Sequence, residues 1–146
     1  MTKKKTATPL DDQLCFALYA ATNAITRLYR PLLTELGLTY PQFLVLLVLW
    51  EHGPRRLGEI AADLELASHA VTPIVDRLEE AGLVTRTKDK ADGRAVIIEL
   101  TKAGAKLESD VAVVQNQVWR QTHLPMSEAE ALRDNLRDFV DRVREQ

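Results

Sequence analysis

The chain holds one cysteine and three histidines among its 146 residues. A single thiol excludes an intrachain disulfide framework, and three scattered histidines offer no four-ligand zinc pattern. A lone free thiol also fits a reducing compartment. Long apolar runs are missing: the longest, Phe43 to Trp50, is far short of the ~20 residues that span a bilayer. The basic stretch Lys3-Lys4-Lys5 leads into no apolar core of a secretory signal. These absences predict a cytoplasmic protein with no membrane span, metal or other cofactor. Excess charge is also lacking, and a net charge of −2 does not by itself announce a nucleic-acid binder. What is there is an average globular composition, 46% hydrophobic and 27% charged, in a length that suits one domain with a real core.

Residues 1–9 read as a loose polar tail, and residues 10–146 as one domain. Leu14, Leu18, Ala21, Ile25, Leu28 and Leu32 recur at helical spacing, with Asp11 and Asp12 suited to the positive end of the helix dipole. Pro31 removes a backbone donor inside that pattern, which predicts a kink or break near Tyr29–Arg30, and Gly37 closes the segment. Thr39-Tyr40-Pro41-Gln42 carries a capping box for a second helix that reaches about His52 before Gly53-Pro54. Its unbroken apolar character predicts burial on most sides.

Leu57 to Leu64 is a short amphipathic segment, Glu65-Leu66-Ala67 a brief turn, and Ser68 the expected N-cap of a second short helix ending at Ala81-Gly82. Two short helices across a tight turn read as a helix-turn-helix. Alternation in Leu83 to Thr87 and Ala95 to Leu100, around a polar turn with Asp92-Gly93, predicts a β-hairpin. The order defines a winged helix. Thr101 then caps a helix to about Gln121. Pro125 breaks it, and the box Ser127-Glu128-Ala129-Glu130 opens a last helix with Leu132, Leu136, Phe139 and Val140 on one face. The fold class is therefore mainly α (α+β), a winged helix-turn-helix over residues 54–100 flanked by dimerisation helices at 10–37 and 102–144.

A helix-turn-helix seats its second helix in the major groove. Ser68, His69, Thr72, Pro73 and Arg77 lie on the side of that helix away from the core pattern, and serine, threonine, histidine and arginine can reach base edges or phosphates. Arg86, Lys88, Lys90 and Arg94 give the wing cations for the backbone. Asp76, Glu79 and Glu80 on the reading helix would repel phosphates unless they face away or pair with nearby cations. One reading helix covers few base pairs. A homodimer on a pseudo-palindromic duplex is expected, with the terminal helices paired across the two-fold.

Cys15 shares its helix face with Tyr19, and Tyr29 and Tyr40 complete the chain's tyrosines. A lone thiol near phenols suggests a sensor. Packing as a small hydrophobe is the plainer reading of such a cysteine. Trp50 and Trp119 read as core or dimer packing, and His52 and His123 as residues at helix ends.

The chain resembles the MarR family of winged-helix regulators, and within it the organic-hydroperoxide-responsive OhrR type. The resemblance runs from Leu10 to Leu107. It is carried by Asp12-Gln13-Leu14-Cys15-Phe16-Ala17-Leu18-Tyr19-Ala20-Ala21, by Arg27-Leu28-Tyr29-Arg30-Pro31-Leu32-Leu33, by Leu36-Gly37-Leu38-Thr39-Tyr40-Pro41-Gln42-Phe43 and by Leu49-Trp50-Glu51. It implies that Cys15 is the peroxide-sensing cysteine. It also implies that Tyr29 and Tyr40 hydrogen-bond that sulfur across the dimer, that Tyr19 is a third nearby phenol, and that Asp92 steadies Arg94 near the minor groove. The reading helix departs from the type: His69, Ala70 and Asp76 stand where it has glycine, threonine and lysine, and Gly93 replaces a charged wing residue.

The expected function is that of a regulator, a repressor in type and not an enzyme, that leaves its operator when an organic hydroperoxide oxidises Cys15. With no second cysteine, the sulfenic acid would pass to a mixed disulfide with a low-molecular-weight thiol, to over-oxidation, or to a bond between two Cys15 residues. The alternative is a MarR-type repressor answering a small aromatic or anionic ligand, with Cys15 structural. A thiol peroxidase is disfavoured by the absence of βαβ patterning and of a resolving cysteine.

Overall fold

The structure, a computed structural model, describes residues 7–145. The tail expected over residues 1–9 therefore lies largely outside the described residues; Ala7, Thr8 and Pro9 are exposed. Asp11 and Asp12 fall in a 3-10 turn, Leu10–Asp12, instead of opening the first helix. That helix, α1, spans Leu14–Glu35 with Gln13 in extended conformation ahead of it. The break expected at Pro31 is not there, and α1 runs on through it. Only one amide is lost to proline, the Pro31 ring is exposed, and Leu33 is fully buried two residues later. The end is a Schellman close: the Gly37 amide donates to Thr34 and the Leu38 amide to Leu33, each at 2.9 Å, around Gly37 at φ +73.

The second helix, α2 (Tyr40–His52), starts on the expected box. The Thr39 amide donates to Gln42 Oε1 at 3.0 Å and the Gln42 amide to Thr39 Oγ1 at 3.3 Å. Phe43, Val45, Leu46, Val48 and Leu49 are all buried, so α2 is the central helix of the core. After it, Arg55–Arg56 forms a two-residue strand, β1, that sequence reading missed. Helices α3 (Leu57–Asp63) and α4 (Ser68–Glu80) make the helix-turn-helix. Ser68 is the first helical residue, not the cap. Ala67 holds the cap position without a side-chain bond, because the turn already ends on it in extended conformation (φ −69, ψ 147). Ile60, Ala61, Val71, Val75 and Leu78 fix the crossing, all buried.

Strands β2 (Val84–Lys88) and β3 (Val96–Leu100) form the wing. The antiparallel sheet has the order β1-β3-β2, with Arg55 opposite Ile98 and Arg86 also opposite Ile98 on the other side. Thr101 caps α5 (Lys102–Thr122), accepting from the Gly104 amide at 3.1 Å. His123 ends α5 in the left-handed region at φ 55. The last helix, α6 (Met126–Arg144), begins ahead of the expected Ser127 box. Pro125 takes the cap position, where its missing amide leaves nothing to satisfy. Helix α5 packs on α1 and α2, whereas α6 packs only sparsely on the rest of the protomer. No single described helix is long and apolar enough to cross a membrane.

Candidate nucleic-acid interface and thiol site

Helix α4 presents Ser68, His69, Pro73 and Arg77 to solvent, while Val71, Val75 and Leu78 point into the core. Thr72 is half-buried and its hydroxyl donates to the Ser68 carbonyl at 3.2 Å. The exposed residues thus share the face that a groove would meet. Glu65, in the turn, adopts φ +61, and the Leu66 amide donates to the Ala61 carbonyl at 2.9 Å. This is the same closure that Gly37 gives α1, made here by a residue with a Cβ. Its carboxylate pairs with Arg144 at the end of α6.

The wing tip exposes Lys88, Lys90, Asp92 and Arg94. Asp92 Oδ1 accepts from the Arg94 backbone amide at 3.1 Å, so the aspartate sets the direction in which the chain leaves toward Arg94. The turn end of the wing is held by a residue that sequence reading passed over. Asp89 accepts from the Ala91 amide at 3.0 Å and pairs with the Arg56 guanidinium of β1. The Ala91 amide and the Arg56 guanidinium together hold the Asp89 carboxyl below its ordinary range, against an opposing desolvation. Arg55 beside it pairs with Asp63 at 2.8 Å and lies 3.9 Å from Glu59, tying β1 to α3. The spacing of Arg56 and Asp89, 33 residues apart, carries no local signal that could have announced the pair.

Arg86, expected among the wing cations that meet the backbone, is engaged within the protomer. Its guanidinium pairs with Asp76, lies 3.6 Å from Glu79 and donates to the Thr72 carbonyl at 3.3 Å. Two of the three acidic residues of α4, Asp76 and Glu79, thus face Arg86 and not Arg77.

Cys15 is exposed at the start of α1, and its thiol donates to Gln13 Oε1 at 3.3 Å. It lines a groove with Leu14, Leu18 and, from α6, Phe139. Tyr19 is 66% exposed one turn further on. Tyr29 and Tyr40 are brought together, with ring centroids 5.4 Å apart and both stacked near Phe43. Burial, and for Tyr29 also the neighbouring Tyr40, raises both phenols above their ordinary value of 10.0, so each keeps its proton as a donor. Within one protomer they are not beside the sulfur: 14 residues of helix separate Tyr29 from Cys15, roughly 21 Å. A larger cleft, about 970 Å³, opens elsewhere, between α1, α5, α6 and the helix-turn-helix. Ile25, Tyr29, Trp119, Leu132, Arg133 and Arg137 are among its walls. Among the described residues no cluster of histidine, cysteine, aspartate or glutamate is arranged to hold a metal.

A helix-turn-helix followed by a two-stranded wing, with β1 completing the sheet and long terminal helices framing it, defines a winged-helix DNA-binding protein. The MarR family model matches residues 38–96. The HTH-type transcriptional regulator TtmR of Methylorubrum extorquens is 45% identical over 134 residues, covering 92% of this chain and 69% of that protein. The organic hydroperoxide resistance transcriptional regulator of Bacillus subtilis is 46% identical over 99 residues, covering 68% of this chain and 67% of that one. Reduced AbfR bound to DNA superposes with a TM-score of 0.76 at 34% identity, covering 92% of this chain and 93% of that one. The chain belongs to the MarR family, and it is a transcriptional regulator of that family, not an enzyme.

Proposed function

We propose that this regulator is a homodimer that senses organic hydroperoxides at Cys15 and releases its operator when that sulfur is oxidised. The observation that carries the reading is the placement of the chain's only thiol. It is exposed, in a groove walled by Leu14, Leu18 and Phe139, on a helix whose first half buries nothing within the protomer. The apolar wall suits an alkyl or aryl peroxide. The two protonated phenols are out of reach in one protomer, so donors to the sulfur come from the partner subunit, as the resemblance implies. The likeness to the Bacillus subtilis regulator over 68% of the chain supports the same chemistry. The thiolate attacks the peroxide: an S–O bond forms, the O–O bond breaks, and the alkoxide takes a proton and leaves as an alcohol. The sulfenic acid, or the mixed disulfide a small thiol makes of it, puts new bulk into the seam between subunits and shifts the spacing of the two reading heads.

DNA binding of Cys15→Ser with and without cumene hydroperoxide tests this. The substituted protein is expected to stay bound; release that persists without the thiol overturns the sensor role.

The ~970 Å³ cleft favours a second reading, in which a small aromatic or anionic ligand drives release and Cys15 only packs. Arg133 and Arg137 beside Trp119 and Tyr29 suit a phenolic carboxylate. Thermal shift with such compounds, with and without Cys15, separates the two.

A further inference from the structure

Among the cations of the wing, Arg86 alone turns inward. Lys88, Lys90 and Arg94 are exposed and make no ion pair among the described residues, whereas the Arg86 side chain is 27% exposed. Its three partners, the Thr72 carbonyl, Asp76 and Glu79, fall at i, i+4 and i+7 on α4 and so form one stripe along the reading helix. Helix α4 carries three carboxylates, Asp76, Glu79 and Glu80, against the single guanidinium of Arg77. A carboxylate and a phosphate compete for the same guanidinium donors.

We propose that Asp76 and Glu79 withhold Arg86 from the DNA backbone, so that the reading head binds duplex with one phosphate contact fewer than its wing could make. Phosphate contacts hold a protein on DNA of any sequence, and they are the salt-sensitive part of binding. Holding one in reserve lowers affinity uniformly and sets how readily the head leaves the duplex. Arg86 also locks α4 to β2, so freeing it changes charge and geometry together. Asp76 and Glu79 are 47% and 43% exposed, which leaves them open to isosteric amide substitution without burying an unpaired group.

The test is binding of the full-length dimer to a short random-sequence duplex across about 50–200 mM salt. The proteins are the wild type, Asp76→Asn, Arg86→Met and the double variant, each first checked for folding by circular dichroism. Asp76→Asn is expected to tighten binding and to steepen the slope of log affinity against log salt by about 0.9, the signature of one added phosphate. That steepening is expected to vanish in the Arg86→Met background, and Arg86→Met alone is expected to leave the slope unchanged. An Asp76→Asn slope equal to wild type overturns the idea. So does an equal steepening without Arg86, which would mean plain repulsion by Asp76. A flatter slope for Arg86→Met alone overturns it as well, because Arg86 would then already be on phosphate. Arg86→Gln, which keeps a donor for the Thr72 carbonyl, replaces Arg86→Met if the latter does not fold.

Discussion

The indole of Trp50 donates to the carbonyl of Gly104 at 3.0 Å, tying the last turn of α2 to the first turn of α5. Gly104 is buried directly against the backbone of Leu83, and a Cβ added there would collide with the Leu83 carbonyl oxygen. Three segments far apart in sequence meet at this point, so the base of the wing and the start of α5 share one fixed contact.

Gly104→Ala is accordingly expected to destabilise the fold by roughly 1–3 kcal/mol, the usual range for overpacking, despite the better helix propensity of alanine. Urea unfolding followed by tryptophan fluorescence checks this. An unchanged or higher midpoint would show that the Leu83 backbone moves aside freely.

Glu65 holds a left-handed conformation in the helix-turn-helix turn, where a residue with a Cβ is strained by roughly 1–2 kcal/mol. Its ion pair with Arg144 is half-exposed and offsets little, about 0–1 kcal/mol for such surface pairs. Glu65→Gly is therefore expected to raise the melting temperature, or at worst to leave it level. A clear drop would give the Arg144 pair a weight the geometry does not suggest.

Tyr29 and Tyr40 have folded values above 10.0, so their contribution is fully present below pH 10 and is lost as pH rises through the folded values, where the unfolded chain ionises first. Alkaline unfolding is expected to begin above pH 10 and to move to higher pH in Tyr40→Phe. Equilibrium unfolding across that range by far-UV circular dichroism measures it, and a Tyr40→Phe onset that does not move would remove the phenol from the account.

Asp89 runs the opposite way. Its folded value is lowered below 3.8, so its stabilising role is present above that pH and fades as pH falls through the folded value. Thermal melts of wild type and Asp89→Asn are expected to differ at neutral pH and to converge under acid. A gap that persists at low pH would assign the effect to packing.

Much of the architecture was legible because its stop and start signals are local. Gly37, Gly82 and the Thr39–Gln42 pair mark helix ends by what one residue type does to its own backbone, and each holds. Local signals also misled. Pro31 reads as a breaker, yet tertiary burial of Leu33 carries α1 past it. Ser68 and Ser127 are good capping residues placed one and two positions inside their helices, because Ala67 and Pro125 already supply the extended step. The strand Arg55–Arg56 is too short to show any period and exists only through its pairing with Ile97 and Ile98. The exposed face of α4 followed from amphipathic spacing. The fate of Arg86 did not, since its partners lie up to 14 residues away on another element.

Helix α6 leaves Leu132, Leu136, Phe139, Val140 and Val143 between 36% and 54% uncovered in the lone protomer. In the proposed homodimer a second copy of the chain would cover part of this row, which would tie DNA binding to protein concentration. Single subunits at low concentration would carry an unsupported last helix and one reading head each, and occupancy of the target would climb more steeply than protein abundance. Glutamate at Leu136 is expected to expose this as a shift toward single subunits in sedimentation, with DNA retention falling in step.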